Sequence, residues 1–145
     1  DLHICISHWR RRKISLAKQI EAAQGKACVQ IPSGEDPGYP CFVGTRLVGN
    51  ATNGKFVNGG RYEVKDIRFN ITLEDNTTGV TFEVTPEALS KNCILAWALT
   101  YPKVQGITEK GTVFLHDLGS KHFKKCHLYV GLSRVTDGKH VFISI

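Results

Sequence analysis

Three short stretches hold the residues best suited to chemistry. The first is Thr100-Tyr-Pro-Lys-Val-Gln-Gly-Ile-Thr108, directly after the apolar run Cys93–Leu99. Polar and glycine residues that follow a buried strand lie where open α/β sheets bind ligands. Gly106 permits close backbone approach, and Lys103 and Gln105 offer a charge and hydrogen bonds. An ordinary strand-to-helix loop reads the same way. The second stretch is Tyr129-Val-Gly-Leu-Ser-Arg-Val135. Arg134 stands there among apolar neighbours, and its permanently charged, forked guanidinium suits phosphate oxygens. A cation complementing the C-terminal end of a helix dipole is the plainer alternative. The third is Arg10-Arg-Arg-Lys13, preceded by Trp9. Positive residues at a helix start oppose the dipole, so the run is either a polyanion contact or a solvated face. Trp9 can stack on a base or fill a core or interface.

These stretches need elements to hold them. Leu2–Ile6 is a short apolar run with β-branched residues and reads as a buried strand. Ser7 then suits a helix N-cap, and residues 9–24 are good helix formers with Ile14, Ala17 and Ile20 expected on the inner face. Gly25 is the expected stop. Strand followed by helix is the unit of parallel α/β sheets. The segment 32–40 has three prolines and two glycines in nine positions and acts as punctuation. Beyond it come short strands, Phe42–Val48, Arg61–Phe69, Ile71–Glu74 and Val80–Val84, separated by Asn-Gly and Asp-Asn-Thr-Thr-Gly turns. Such spacing predicts a small antiparallel barrel over 41–85. Thr85-Pro86-Glu87 reads as a helix start with Pro at its first position. Cys93–Leu99 and Thr112–His116 read as buried strands, His122–Leu132 as a helix and Val141–Ile145 as a closing strand. An α/β domain over 1–40 and 86–145 is thus expected to be interrupted by a β insert.

Composition narrows the function classes. Among 145 residues, 19 Lys and Arg against 13 Asp and Glu give a net charge of +6, which favours polyanionic partners or simply aids solubility. Five cysteines, an odd number with no CxxC pair, argue against a disulfide framework and a standard zinc site. The six histidines form no metal pattern, so no metal ligands are assigned. Glu35/Asp36 and Glu74/Asp75 lie in turns and give no support to a glycosidase or protease. Asn50, Asn70 and Asn76 each head an Asn-x-Thr sequon, but turn and strand preferences explain them, and an intracellular setting, nucleus or cytoplasm, is expected. No apolar run is long enough to span a membrane. The absence of Met and the start at Asp1 suggest a piece of a longer protein.

Taken together, the first two stretches resemble motifs V and VI of superfamily 1 helicases of the RecD-like and Pif-like branch. That branch shows T-x-H-K-x-Q-G-x-T after a strand and, about twenty residues later, Y-V-A-L-S-R-V. Here Thr100, Lys103, Gln105, Gly106 and Thr108 match the first, and Tyr129, Val130, Leu132, Ser133, Arg134 and Val135 the second. Ile4–Ser15 is similar to the motif IV strand and helix start, and Val57-Asn-Gly-Gly-Arg-Tyr-Glu-Val64 to a phrase common in the branch's SH3-like insert. Four positions depart: Pro102 replaces the usual His, Val104 a small residue, Ser15 an Asn and Gly131 an Ala.

The resemblance implies a RecA-like lobe, 2A, over 1–40 and 86–145, with an SH3-like insert, 2B, over 41–85. It implies that Arg134 is an arginine finger, that Gln105, Gly106 and Arg10 contact nucleotide, and that Thr100, Lys103, Thr108, Trp9 and Arg11 contact nucleic acid. ATP and Mg²⁺ would be held mainly by an N-terminal RecA-like lobe of the same protein. No G-x-x-x-x-G-K-[ST] phosphate loop occurs in this sequence, so this chain alone is expected not to hydrolyse ATP. Single-stranded nucleic acid, with DNA the expected form, and 5′-to-3′ movement are implied in the same way. The competing reading is a non-catalytic module that binds nucleic acid or protein, supported by Pro102 and the lack of a phosphate loop.

Overall fold

The computed structural model describes residues 2–104, 112–117, 121 and 141–143. They divide into two compact units, one of residues 1–15 and 97–145 and the other of residues 16–96.

The first unit is built on a parallel sheet. Its strands are β1 (Leu2–Cys5), β9 (Ala98–Thr100), β10 (Val113–Leu115) and β11 (Val141–Ile143), in the order β11-β10-β1-β9. Every pairing is parallel, with His3 opposite both Phe114 and Ala98. Leu2, Ile4, Leu99, Val113 and Leu115 are buried, as continuous apolar runs in parallel strands require. The predicted strands at 2–6, 112–116 and 141–145 all appear. The helix predicted at 122–132 lies outside the described residues.

Helix α1 (His8–Ala23) follows β1. Ser7 caps it, its Oγ accepting the Arg10 N–H at 3.1 Å and its carbonyl the Arg11 N–H at 3.1 Å. The inner face is not the expected one. The buried positions are Arg11, Ser15 and Gln19, spaced four apart, while Ile14 is half-buried, Ala17 is exposed and Ile20 is 50% exposed. Directed hydrogen bonds replace apolar contact on that face. Ser15 Oγ accepts the Ala98 N–H at 3.2 Å, and Gln19 Nε2 donates to the Pro40 carbonyl at 2.7 Å and to Thr45 Oγ1 at 3.1 Å. Ser15 and Gln19 therefore each have defined partners, as burial demands.

The second unit is dominated by antiparallel pairing. A two-stranded ribbon joins β2 (Val29–Ile31) to β3 (Tyr39–Cys41). A five-stranded sheet runs β7-β6-β5-β4-β8, from β4 (Arg46–Gly49), β5 (Arg61–Ile67), β6 (Ile71–Asp75), β7 (Thr81–Val84) and β8 (Cys93–Leu95). The predicted short strands are thus present, and β8 joins them from outside the 41–85 span. Alternation drives the sheet: Tyr62, Val64, Ile71, Leu73 and Phe82 face the core, and their neighbours do not. Phe56, Tyr62 and Phe82 meet edge to face, with ring centroids 5.7–5.9 Å apart. Asp36, read from sequence as a turn residue, is buried, and its Oδ2 accepts the Leu95 N–H at 2.7 Å.

Sequence reading took Cys93–Leu99 as one strand. The structure breaks it at Ala96-Trp97 into β8, antiparallel to β4, and β9, parallel to β1. An unbroken apolar run shows burial but not where the chain turns from one sheet to another.

Helix α2 (Pro86–Asn92) begins as predicted, with Pro at its first position and Thr85 as N-cap. Thr85 Oγ1 accepts the Ala88 N–H at 3.1 Å. Thr85→Ala should cost about 1 kcal/mol in denaturant unfolding, and Thr85→Ser should restore most of it. Among the described residues no helix is long and apolar enough to cross a membrane.

Candidate functional site

In a parallel sheet all strands end at one edge, and the loops that follow gather there. After β1 come Ile6, Ser7 and the first turn of α1. After β9 come Tyr101 and a 3₁₀ turn, Pro102–Val104. After β10 come His116 and Asp117. Hydrogen bonds lace these loops together. Tyr101 N–H donates to the Cys5 carbonyl at 3.2 Å, and Tyr101 Oη donates to the His116 carbonyl at 2.9 Å.

Asp117 ties the edge further. Its Oδ2 accepts the Ile6 N–H at 2.9 Å and its Oδ1 accepts from Arg10 Nη1 at 3.2 Å. It does so with φ at +68°, a conformation that Asp tolerates better than most residues. Sequence reading did not single it out. The available signal was its place, two residues past Leu115 at the end of a parallel strand.

The arginine run is now resolved by position. Arg10 sits at the sheet edge with its side chain 37% exposed. Arg11, expected on the nucleic-acid strand, is only 1% exposed and belongs to the inner face of α1. Trp9 is 70% exposed, and Lys13 Nζ lies 5.1 Å from its ring centroid, so the ring stands on the outside of the helix beside a cation. Lys103 is half-buried in the 3₁₀ turn; burial, then the charge of Arg11, pull its pKa below the ordinary lysine value. Thr100 is buried at the end of β9. Thus Thr100, Lys103 and Arg10 share one edge. Gln105, Gly106, Thr108 and Arg134 lie outside the described residues.

Next to this edge two buried histidines pair, His3 Nδ1 lying 2.9 Å from His116 Nε2. His3 also stacks on Phe114, with centroids 4.6 Å apart. Burial lowers the pKa of His116, the charge of Arg10 lowers it further, and Asp117 opposes both. A base with a depressed folded-state pKa adds stability above its unfolded value, near 6.5, and loses it as pH falls through the folded value. Unfolding free energy should therefore decline as pH drops below about 6.5, and His116→Gln should flatten that slope in denaturant titrations.

Among the described residues no group of three or more His, Cys, Asp or Glu is arranged to hold a metal ion. The edge offers cations suited to phosphate oxygens instead.

Comparison with solved structures decides the fold. A Bacteroides Pif1 bound to single-stranded DNA matches with a TM-score of 0.70 and 21% identity, over 99% of this chain and 40% of that one. The fold is that of the C-terminal part of Pif1 helicases. Pif1 helicase from Candida albicans matches with a TM-score of 0.62 and 15% identity, over 98% of this chain and 44% of the other. A Bacteroides Pif1 in complex with ADP-AlF4 matches with a TM-score of 0.53 and 21% identity, over 98% and 39%. The chain spans about 40% of the length of the Pif1 structures it matches. No family model and no curated protein matches it by sequence.

Proposed function

We propose that this chain is the C-terminal motor lobe of an ATP-dependent nucleic-acid helicase or translocase, acting with an N-terminal ATP-binding lobe. The observation that carries this reading is the parallel-sheet edge, where Thr100, Lys103 and Arg10 sit together on the fold of the corresponding part of Pif1. In this reading residues 1–40 and 86–145 form the RecA-like lobe and 41–85 form the SH3-like insert.

The residues divide the work between two ligands. ATP, with Mg²⁺, would supply the phosphoryl group that is transferred to water. Arg134 would serve as the finger on the terminal phosphate, and Arg10 would add a second cation there. Gln105 and Gly106 border the nucleotide. Lys103 neutralises strand phosphate, Thr100 and Thr108 donate hydrogen bonds to it, and exposed Trp9 offers a stacking face. Burial, then the Arg11 charge, lower the pKa of Lys103, and an anion beside it would restore the charged form. Arg11 itself is enclosed on α1. A Bacteroides Pif1 bound to single-stranded DNA and another in complex with ADP-AlF4 indicate the two ligand classes.

Lys103→Ala should weaken single-strand binding and reduce the slope of log K against log salt by about 0.7, the value for one single-strand phosphate contact. An unchanged slope removes Lys103 from the strand. ATP hydrolysis stimulated by single strands in the two-lobe protein tests the whole reading, and an inert two-lobe protein overturns it.

A further inference from the structure

Asp117 is the residue at the sheet edge that the proposed function does not yet use. Its carboxylate is 14% exposed and spans two partners. One oxygen holds the Ile6 N–H at the end of β1, and the other holds Arg10 Nη1. The backbone reaches this pose at φ +68°, outside the usual range for a residue with a side chain. Such outliers persist where surrounding structure over-determines them, and they gather at functional sites.

We propose that Asp117 is a positioning residue, which fixes the Arg10 guanidinium for contact with the terminal phosphate of a nucleoside triphosphate held by a second lobe. The inference rests on the reading of this chain as a motor lobe. An arginine on a helix start has many rotamers, and most point away from a bound phosphate. A loose surface aspartate would not select among them, since exposed ion pairs hold little order. Asp117 differs because its second oxygen is tied to the sheet backbone. The reference frame for Arg10 is then the sheet itself, not another mobile side chain. Asp117 engages one of the five guanidinium donors, which leaves the planar fork capable of meeting phosphate oxygens. Ordering Arg10 beforehand reduces what must be ordered when the nucleotide arrives.

Asp117→Asn separates this role from a structural one. Asn tolerates the same positive φ, and its oxygen can still accept the Ile6 N–H. Its amide then presents a donor to Arg10, and the ion pair is lost. In the two-lobe protein we expect kcat for ATP to fall by about 10²-fold, the scale of a misplaced catalytic contact, and kcat/KM to fall equally. The thermal midpoint and single-strand affinity should stay near the wild-type values. Arg10→Ala should lose a similar factor, and the double variant should lose no more than either alone. Should Asp117→Asn fail to fold, Arg10→Lys provides the same test, because it keeps the charge but not the fork, and it should reproduce the kcat loss. Wild-type kcat in a folded Asp117→Asn or in Arg10→Lys, or losses that multiply in the double variant, overturns the inference alone. A wild-type two-lobe protein with no turnover overturns the motor reading and the inference with it.

Discussion

Arg134→Ala in the two-lobe protein should lower ATP turnover by roughly 10³–10⁵-fold, with single-strand affinity and thermal midpoint held near wild type. The size follows from what a finger does. Negative charge spreads over the equatorial oxygens as the phosphoryl group moves, and a guanidinium aimed at them stabilises that charge more than the ground state. Loss should therefore appear in kcat rather than in KM. Arg134→Lys should recover only part of the rate, because an ammonium keeps the charge but not the planar fork. Turnover unchanged in Arg134→Ala would remove the finger assignment and leave Arg10 as the remaining arginine candidate at the phosphate.

Gly49→Ala should be the most damaging small substitution among the described residues, costing about 3 kcal/mol or more. A Cβ at Gly49 would overlap the Val57 carbonyl oxygen and come within 3.0 Å of the Val57 carbonyl carbon. The Val57–Gly60 turn is not able to move aside cheaply. Gly49 N–H donates to the Gly60 carbonyl and Gly59 N–H to the Gly49 carbonyl, each at 2.8 Å. Val57 N–H also donates to Tyr62 Oη at 2.8 Å, which links the turn to the aromatic cluster of the second unit. Relief of the overlap must break at least one of these bonds or displace a buried tyrosine. Calorimetry or denaturant unfolding should show a midpoint roughly 10 °C lower. A midpoint within about 1 °C of wild type would show that the turn shifts freely, against the packing described.

Much of the fold can be read from the sequence because its parts follow local rules. Short apolar β-branched runs give the parallel strands, and turn residues separate the antiparallel ones. Thr85 and Pro86 mark α2 by capping chemistry alone. Helix α1 misleads for a physical reason. Hydrophobic periodicity assumes that apolar side chains point inward, but this helix packs through Ser15 and Gln19, whose partners Ala98, Pro40 and Thr45 are distant in sequence. The break within Cys93–Leu99 is hidden in the same way, since both halves are equally apolar and only their partners, β4 and β1, differ. At the candidate site, Arg10 and Lys103 were visible as charged residues beside strand ends. Asp117 was not, because its role depends on two contacts more than 100 residues away along the chain.

The most direct test of the motor reading is ATP hydrolysis by this chain joined to its N-terminal lobe, measured with and without single-stranded DNA, beside this chain alone. The account predicts turnover that rises on addition of single strands in the two-lobe protein and none in the isolated chain. Hydrolysis by the isolated chain, or a folded two-lobe protein that stays inert with single strands present, would contradict it.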